Sequence, residues 1–363
     1  MNNLLHSLHP SVRRVLTWFA WPLLYVVLFI AFAYITFPYE RLRQRIVAGY
    51  NAAQGAKPKP SRMQIGDASW SFRFPGVVLT DVELIGPKPE TAASSAPAQK
   101  DEEGNPIPVK KAARQHTQID EVYVGVSPFA MLFGAKSATF SGEGLGGEFS
   151  GSFRDDGRVR HIEADLEGID PSQIPGIIET LQLPLNGALS GEVDLTIPEG
   201  KLALAEGSIH LVIDDAEVGD GVTKVRGLFA LPTINAGTVS IDVTAQQGRV
   251  KLEKLEADGD DLKAFAEGKL RLRDPVDASL IEGITLNFGF SDGYRDKNDT
   301  TRSLLGKPGD KLGGVIDLNP DVKRAKKSDG KYHWRVSGPM TKPRFQPDGA
   351  GAAGAAGARP RRR

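Results

Sequence analysis

The chain has 363 residues, and its 45 Lys and Arg balance 45 Asp and Glu, so the formal net charge is zero. This balance argues against a nucleic-acid-binding protein, because such proteins carry a basic excess. The chain has no cysteine, which excludes disulfides, thiolate metal sites and cysteine nucleophiles.

The first predicted element is an apolar segment near the N-terminus. No charged residue lies between Arg14 and Glu40, and a bilayer core about 30 Å thick needs roughly 20 apolar residues in a helix. We predict a short N-terminal tail over 1–14 and a retained transmembrane helix over 15–39. Its predicted interface anchors are Trp18, Trp21, Tyr34 and Tyr39. The alternative is a signal peptide cleaved after Ala31–Ala33, but the apolar run continues past that site.

Basic residues do not orient this span. Two arginines precede it and three follow it: Arg13 and Arg14, then Arg41, Arg43 and Arg45. Read literally, the positive-inside rule would place the bulk of the chain in the cytoplasm. Another argument is needed to place that bulk.

After the span we predict a juxtamembrane amphipathic helix over 40–50, with Leu42, Ile46 and Val47 as its apolar stripe. A β-rich domain follows over 51–348. Within it, 86–113 is rich in Pro, Ala, Ser and charge and is predicted to be a disordered loop. The Gly/Ala/Arg tail over 349–363 is predicted to be disordered. It is either simply solvated, or its arginines contact anionic lipid or a partner.

A repeated unit indicates the architecture: a glycine followed by apolar residues at every second position. Examples begin at Gly191, Gly207, Gly237 and Gly268. Side chains alternate between the faces of a strand, so this pattern predicts sheets with one apolar and one polar face, typical of antiparallel pairing. We predict a mainly β fold with a long, curved, mostly antiparallel sheet, either a curled β-taco or a sandwich. Two short helices are predicted, at Pro128–Phe133 and from Asp170 onward.

The apolar strand face is either a packed core or a groove for acyl chains. Its candidate residues are Val193, Leu195, Ile209, Leu211, Val239, Ile241, Leu270 and Leu272. Both structures need the same alternation, so periodicity does not separate them. On the residues alone, a packed core is favoured.

No catalytic motif is present in the sequence. The six histidines lack metal-site spacing, and there is no nucleophile elbow, P-loop or dinucleotide fingerprint. Gly144–Gly147 reads as a turn or bulge between strands, and acidic groups such as Asp214–Asp215 read as β-turns. We therefore expect no enzyme activity, no catalytic or metal-binding residues and no cofactor.

Five local patterns occur along 37–347, outside the 86–113 segment. They are an amphipathic segment after the span, an early hairpin, a strand–helix–strand unit, a loop opening a strand series, and a closing strand with Gly and Pro. Their residues are Phe37–Leu42; Met63–Phe74 with Val77–Ile85; Ile119–Val122 with Pro128–Phe133 and Phe140–Phe153; Leu183–Gly187; and Trp334–Pro339 with Pro343 and Phe345. Together they resemble the type II secretion system protein N (GspN) family, which is related to AsmA-like envelope proteins.

This resemblance implies a single-pass inner-membrane protein whose tail over 1–14 is cytoplasmic and whose β-rich bulk is periplasmic. It implies a non-enzymatic accessory role in type II protein secretion, with other inner-membrane subunits of that system as partners. The alternative is an AsmA-like protein that binds and carries acyl chains of phospholipid or lipopolysaccharide between envelope membranes. Nucleic acid is not an expected partner.

Overall fold

A computed structural model describes residues 10–36, 38–55, 60–71, 76–86, 116–127, 134–174, 184–220, 224–225, 229–230, 232–309 and 313–348. The predicted helix Pro128–Phe133, the predicted loop beyond Gly86 and the tail from residue 349 lie outside these residues.

The described chain is mainly β, as predicted. Its strands are β1 (Arg62–Trp70), β2 (Gly76–Ile85), β3 (His116–Val126), β4 (Lys136–Gly144), β5 (Gly147–Asp155), β6 (Val159–Ile169), β7 (Leu185–Pro198), β8 (Glu206–Val218), β9 (Lys224–Val225), β10 (Phe229–Ala230), β11 (Ile234–Gln246), β12 (Arg249–Asp258), β13 (Leu262–Arg271), β14 (Leu280–Phe290), β15 (Tyr332–Pro339) and β16 (Arg344–Pro347). Fourteen of them form one sheet, and β9 pairs with β10 separately.

The large sheet is an antiparallel meander. Each strand pairs with the next in the chain, except that β8 pairs with β11. The sheet is curved and open, so the sandwich alternative is not what the described strands form. Its early hairpin is confirmed, with Ile65 opposite Val82. The turn predicted at Gly144–Gly147 is confirmed, with Leu145–Gly146 joining β4 to β5, so the segment Phe140–Phe153 is a hairpin and not one strand.

The repeated glycines mark close backbone contacts. Gly191, Gly237 and Gly268 lie inside their strands, and only Gly207 lies near a strand start, as the second residue of β8. Gly191 lies inside β7 at φ +147°, where a Cβ would be 2.0 Å from the carbonyl oxygen of His210. In β8, a Cβ on Gly207 would likewise lie 2.0 Å from the carbonyl oxygen of Asp194. No side chain fits at either position, so only glycine allows the neighbouring strand to come this close.

The helices are few. They are α1 (Pro10–Ile35), α2 (Tyr39–Gly55), α3 (Asp292–Arg295), α4 (Asp299–Leu305) and α5 (Pro320–Ala325), with 3₁₀ helices η1 (Pro171–Gln173), η2 (Leu202–Leu204), η3 (Val276–Ala278) and η4 (Val315–Leu318). Helix α2 extends beyond the predicted residue 50 because its last turns pack on β1. Within the described residues, no helix combines the length and the apolar content that crossing a bilayer requires.

Helix caps explain where the short helices begin. The Asp170 side chain accepts a hydrogen bond from the Ser172 amide, as its predicted capping role requires, although the turn that follows is 3₁₀. Helix α4 was not predicted, although a capping box marks its start in the sequence. The side chain of Asn298 accepts from the Thr301 amide at 2.9 Å, and the Thr301 hydroxyl accepts from the Asn298 amide at 3.0 Å.

Candidate functional site

The cross-strand register places the apolar strand positions on one side of the sheet. Residues directly opposite each other in neighbouring strands point to the same side. One such row crosses thirteen strands through Ala68, Leu79, Val122, Gly142, Phe149, Leu166, Gly191, Leu211, Ile241, Leu255, Ala266, Leu286 and Trp334. We call this side the apolar face. At about 4.8 Å between strands, the row extends for roughly 60 Å.

Seven of the eight predicted face residues point to the apolar face. They are Val193, Leu195, Ile209, Leu211, Val239, Ile241 and Leu270. Leu211 lies directly opposite Ile241, and Val193 lies opposite Ile209. The eighth residue, Leu272, follows the end of β13, and its amide donates to the Gly248 carbonyl at 2.7 Å.

Most of the apolar face is half-buried and lacks a second layer. Its side chains shield one another, and Leu211 and Ile241 are both partly exposed. In the described part of the chain, no second sheet packs on this face. Helix α2 contacts β1 at one end, and the short helices η1 and η2 contact β7 near the middle. A packed core, which the sequence favoured, would need a continuous second layer over this face, and the described residues do not form one.

Aromatic rings fill the places where the face has glycine instead of a side chain. Phe140 lies over Gly151, since a Cβ there would be 2.5 Å from the ring, and Phe149 lies over Gly142 in the same way, at 2.9 Å. The two rings are 6.5 Å apart. Phe149 also packs against two clusters of buried residues: a central one of Ile169, Leu189, Ile213, Ala216, Ala236 and Ala257, and a proximal one next to β1. The apolar face is therefore continuous from β1 to β12.

Helix α2 closes the face at β1. Its Tyr39, Ile46 and Val47 pack against a proximal cluster of buried residues: Ile65, Ala68, Leu79, Val82 and Ile119. Ile46 and Val47 were predicted on the helix stripe. Tyr39 was predicted as a membrane anchor, and the structure places its ring against protein.

Side chains of α2 also occupy the free backbone edge of β1. The Asn51 amide group acts as a strand residue would, accepting from the Met63 amide at 2.9 Å and donating to the Met63 carbonyl at 3.3 Å. Arg43 donates to the carbonyls of Ile65, at 3.3 Å, and Gly66. An open edge invites pairing with another chain, so these contacts block the sheet from extending here.

Small helices cover the opposite corner of the face. Tyr294 of α3 and Leu304 and Leu305 of α4 pack with Ile234 in a distal cluster. Tyr294 is fully buried, and its hydroxyl donates to the Pro232 carbonyl at 2.8 Å. Burial, reinforced by the nearby Asp261 carboxylate, raises the pKa of Tyr294 to about 12.

A buried carboxylate holds η4 against this corner. Asp317 accepts hydrogen bonds from Lys326 Nζ at 2.7 Å and from the Tyr332 hydroxyl at 2.9 Å. Burial of Asp317 opposes its ionisation, but the hydrogen bonds from Lys326 and Tyr332 outweigh that effect and lower its pKa. Burial raises the pKa of the Tyr332 hydroxyl, and the hydrogen bond to Asp317 adds to this.

The other side of the sheet is polar and, between β3 and β7, acidic. A cross-strand row joins Glu121, Glu143, Glu148 and Glu167, and these residues line a cleft of about 1240 Å³. His161 and His210 lie exposed on the same side. Among the described residues, no group of three or more His, Asp or Glu is placed to hold a metal ion.

The predicted membrane anchors lie mostly on α1. Trp18 is 80% exposed and Trp21 is 62% exposed, and large apolar side chains from Leu23 to Phe32 are exposed beside them. The Trp21 and Tyr25 rings are 6.4 Å apart. The side chain of Tyr34 lies outside the described part.

Comparison of the chain with protein-family models, with curated protein sequences and with solved structures gave no match in any of the three. The assignment of a function therefore rests on the residues and their geometry.

Proposed function

We propose that the chain is a non-enzymatic lipid-binding protein whose apolar face holds acyl chains beside a membrane. The observation that supports this is an apolar surface roughly 60 Å long that no second sheet covers among the described residues. Monomeric soluble proteins rarely leave a large continuous apolar surface without cover, and such surfaces mark binding sites for protein, membrane or ligand, or aggregation-prone regions.

The dimensions of the face suit flexible hydrocarbon. Large residues such as Leu211 and Ile241 share the face with glycines such as Gly191 and Gly268, which gives an uneven apolar surface. A chain lying across it gains about 0.8 kcal/mol for each methylene removed from water. Such binding needs no specific hydrogen bonds and no catalytic residues.

The proposal includes anchoring by α1. Its exposed tryptophans and the uncharged run over 15–39 support contact with a membrane. This anchor rests on those apolar side chains and not on a span identified in the structure. In the proposal the bulk of the chain is periplasmic at an inner membrane, and phospholipid or lipopolysaccharide supplies the acyl chains.

Native mass spectrometry of the full chain, extracted in mild detergent, tests the proposal. We expect lipid adducts with acyl chains that survive removal of the detergent. Leu211→Asp should lose them and stay folded, and Val212→Asp, on the polar side of the same strand, should keep them. A preparation free of lipid, with both variants folded, would refute the proposal and redirect attention to an accessory role in secretion.

A further inference from the structure

A small apolar tip lies at the end of the sheet farthest from α2. In a 3₁₀ helix, side chains three residues apart lie on the same side. In η4, Ile316 packs toward the distal cluster, and Asp317 is buried with Lys326. Val315 and Leu318 therefore point outward together, 53% and 77% exposed.

Basic residues lie on the helix that packs beside this tip and just after it. Helix α5 packs on η4 and carries Lys323 and Arg324, and Lys327 follows it, all exposed. Over residues 320–348 the chain has eight Lys and Arg against three Asp and Glu. We call Val315, Leu318, Lys323, Arg324 and Lys327 the distal tip.

The last described residue of the chain lies beside this tip. Lys327 Nζ donates to the carbonyl of Asp348, the last described residue, at 2.7 Å. The fifteen residues that follow contain four arginines and no acidic residue. The sequence that follows the distal tip therefore adds further positive charge.

We propose that the distal tip docks on an anionic lipid bilayer, with Leu318 and Val315 in the interfacial layer and the cations on lipid phosphates. A stable protein interface buries about 800 Å² on each partner, far more than two side chains provide. A bilayer needs no such area, because each basic residue near its surface strengthens binding by roughly fivefold without a fixed partner geometry. This inference does not depend on lipid binding by the apolar face.

The test uses the full chain held in zwitterionic nanodiscs, so that α1 is embedded in the nanodisc bilayer and does not bind the vesicles. Binding to vesicles of phosphatidylcholine, alone or mixed with phosphatidylglycerol, is measured by co-flotation. We expect binding only to the anionic vesicles, weakened by salt. The triple variant Lys323→Glu, Arg324→Glu and Lys327→Glu should bind about 100-fold more weakly. Leu318→Ser should bind about tenfold more weakly.

A matched control reverses three exposed cations elsewhere: Lys136→Glu, Arg154→Glu and Arg158→Glu on β4 and the β5–β6 hairpin. It changes the net charge equally and should bind as wild type does. Equal binding by the tip variants and wild type, equal weakening by the control, or self-association of the chain in place of vesicle binding would each overturn the proposal. Native mass spectrometry of the tip variants separates the two proposals, because lipid on the apolar face should be unchanged.

Discussion

Leu211→Asp distinguishes an open apolar face from a sealed core. Leu211 lies between Gly191 and Ile241 on its neighbouring strands and is partly exposed. On an open face the new carboxylate stays hydrated, so we expect the free energy of unfolding to fall by about 1–2 kcal/mol. In a sealed core an unpaired charge would cost several kcal/mol more and unfold the domain.

The effect on lipid should be larger than the effect on folding. An acyl chain crossing β8 would lose contact with about three methylenes at 0.8 kcal/mol each, which weakens binding by about 2–3 kcal/mol or roughly 50-fold. Chemical denaturation and displacement of a fluorescent fatty acid measure the two quantities. Val212→Asp, on the opposite side of β8, is the control and should change only stability. Unfolding of Leu211→Asp alone, or unchanged lipid affinity in a folded variant, would refute the reasoning.

Three further variants test the fold. Because the pKa of Asp317 is lowered in the folded state, its carboxylate stabilises the fold above the ordinary value of 3.8 and that stability is lost as pH falls through the folded pKa. Asp317→Asn should therefore lose stability at pH 7 and show a flatter acid-denaturation profile than wild type; parallel profiles would contradict this. Gly191→Ala should cost about 3 kcal/mol or more in unfolding free energy, since its Cβ would meet a carbonyl oxygen at 2.0 Å, whereas Gly283→Ala, with its nearest neighbour at 3.8 Å, should be tolerated. Asn51→Ala should cost about 1–2 kcal/mol and promote association through the free edge of β1, detectable by light scattering; a strictly monomeric, equally stable variant would argue against edge protection by α2.

The alternation of apolar and polar residues by itself determined the strand faces. Leu211 and Ile241 are predicted in the same phase, and they lie directly opposite each other. This works because the side-chain period of a strand is two, whatever the strand pairs with. The cap at Asp170 was likewise local, since a carboxylate two residues before an amide satisfies that amide without help from the rest of the fold.

Tertiary structure alone decided what lies over the apolar face and where glycine is required. The same alternation suits a sandwich and a single sheet, because the pattern states which side is apolar and not what covers it. Gly191 looked like the start of a strand, but its necessity comes from the His210 carbonyl on β8, a contact between residues far apart in the chain. The outward direction of Leu318 depends in the same way on burial of its neighbour Asp317 against Lys326 and Tyr332, which no local pattern encodes.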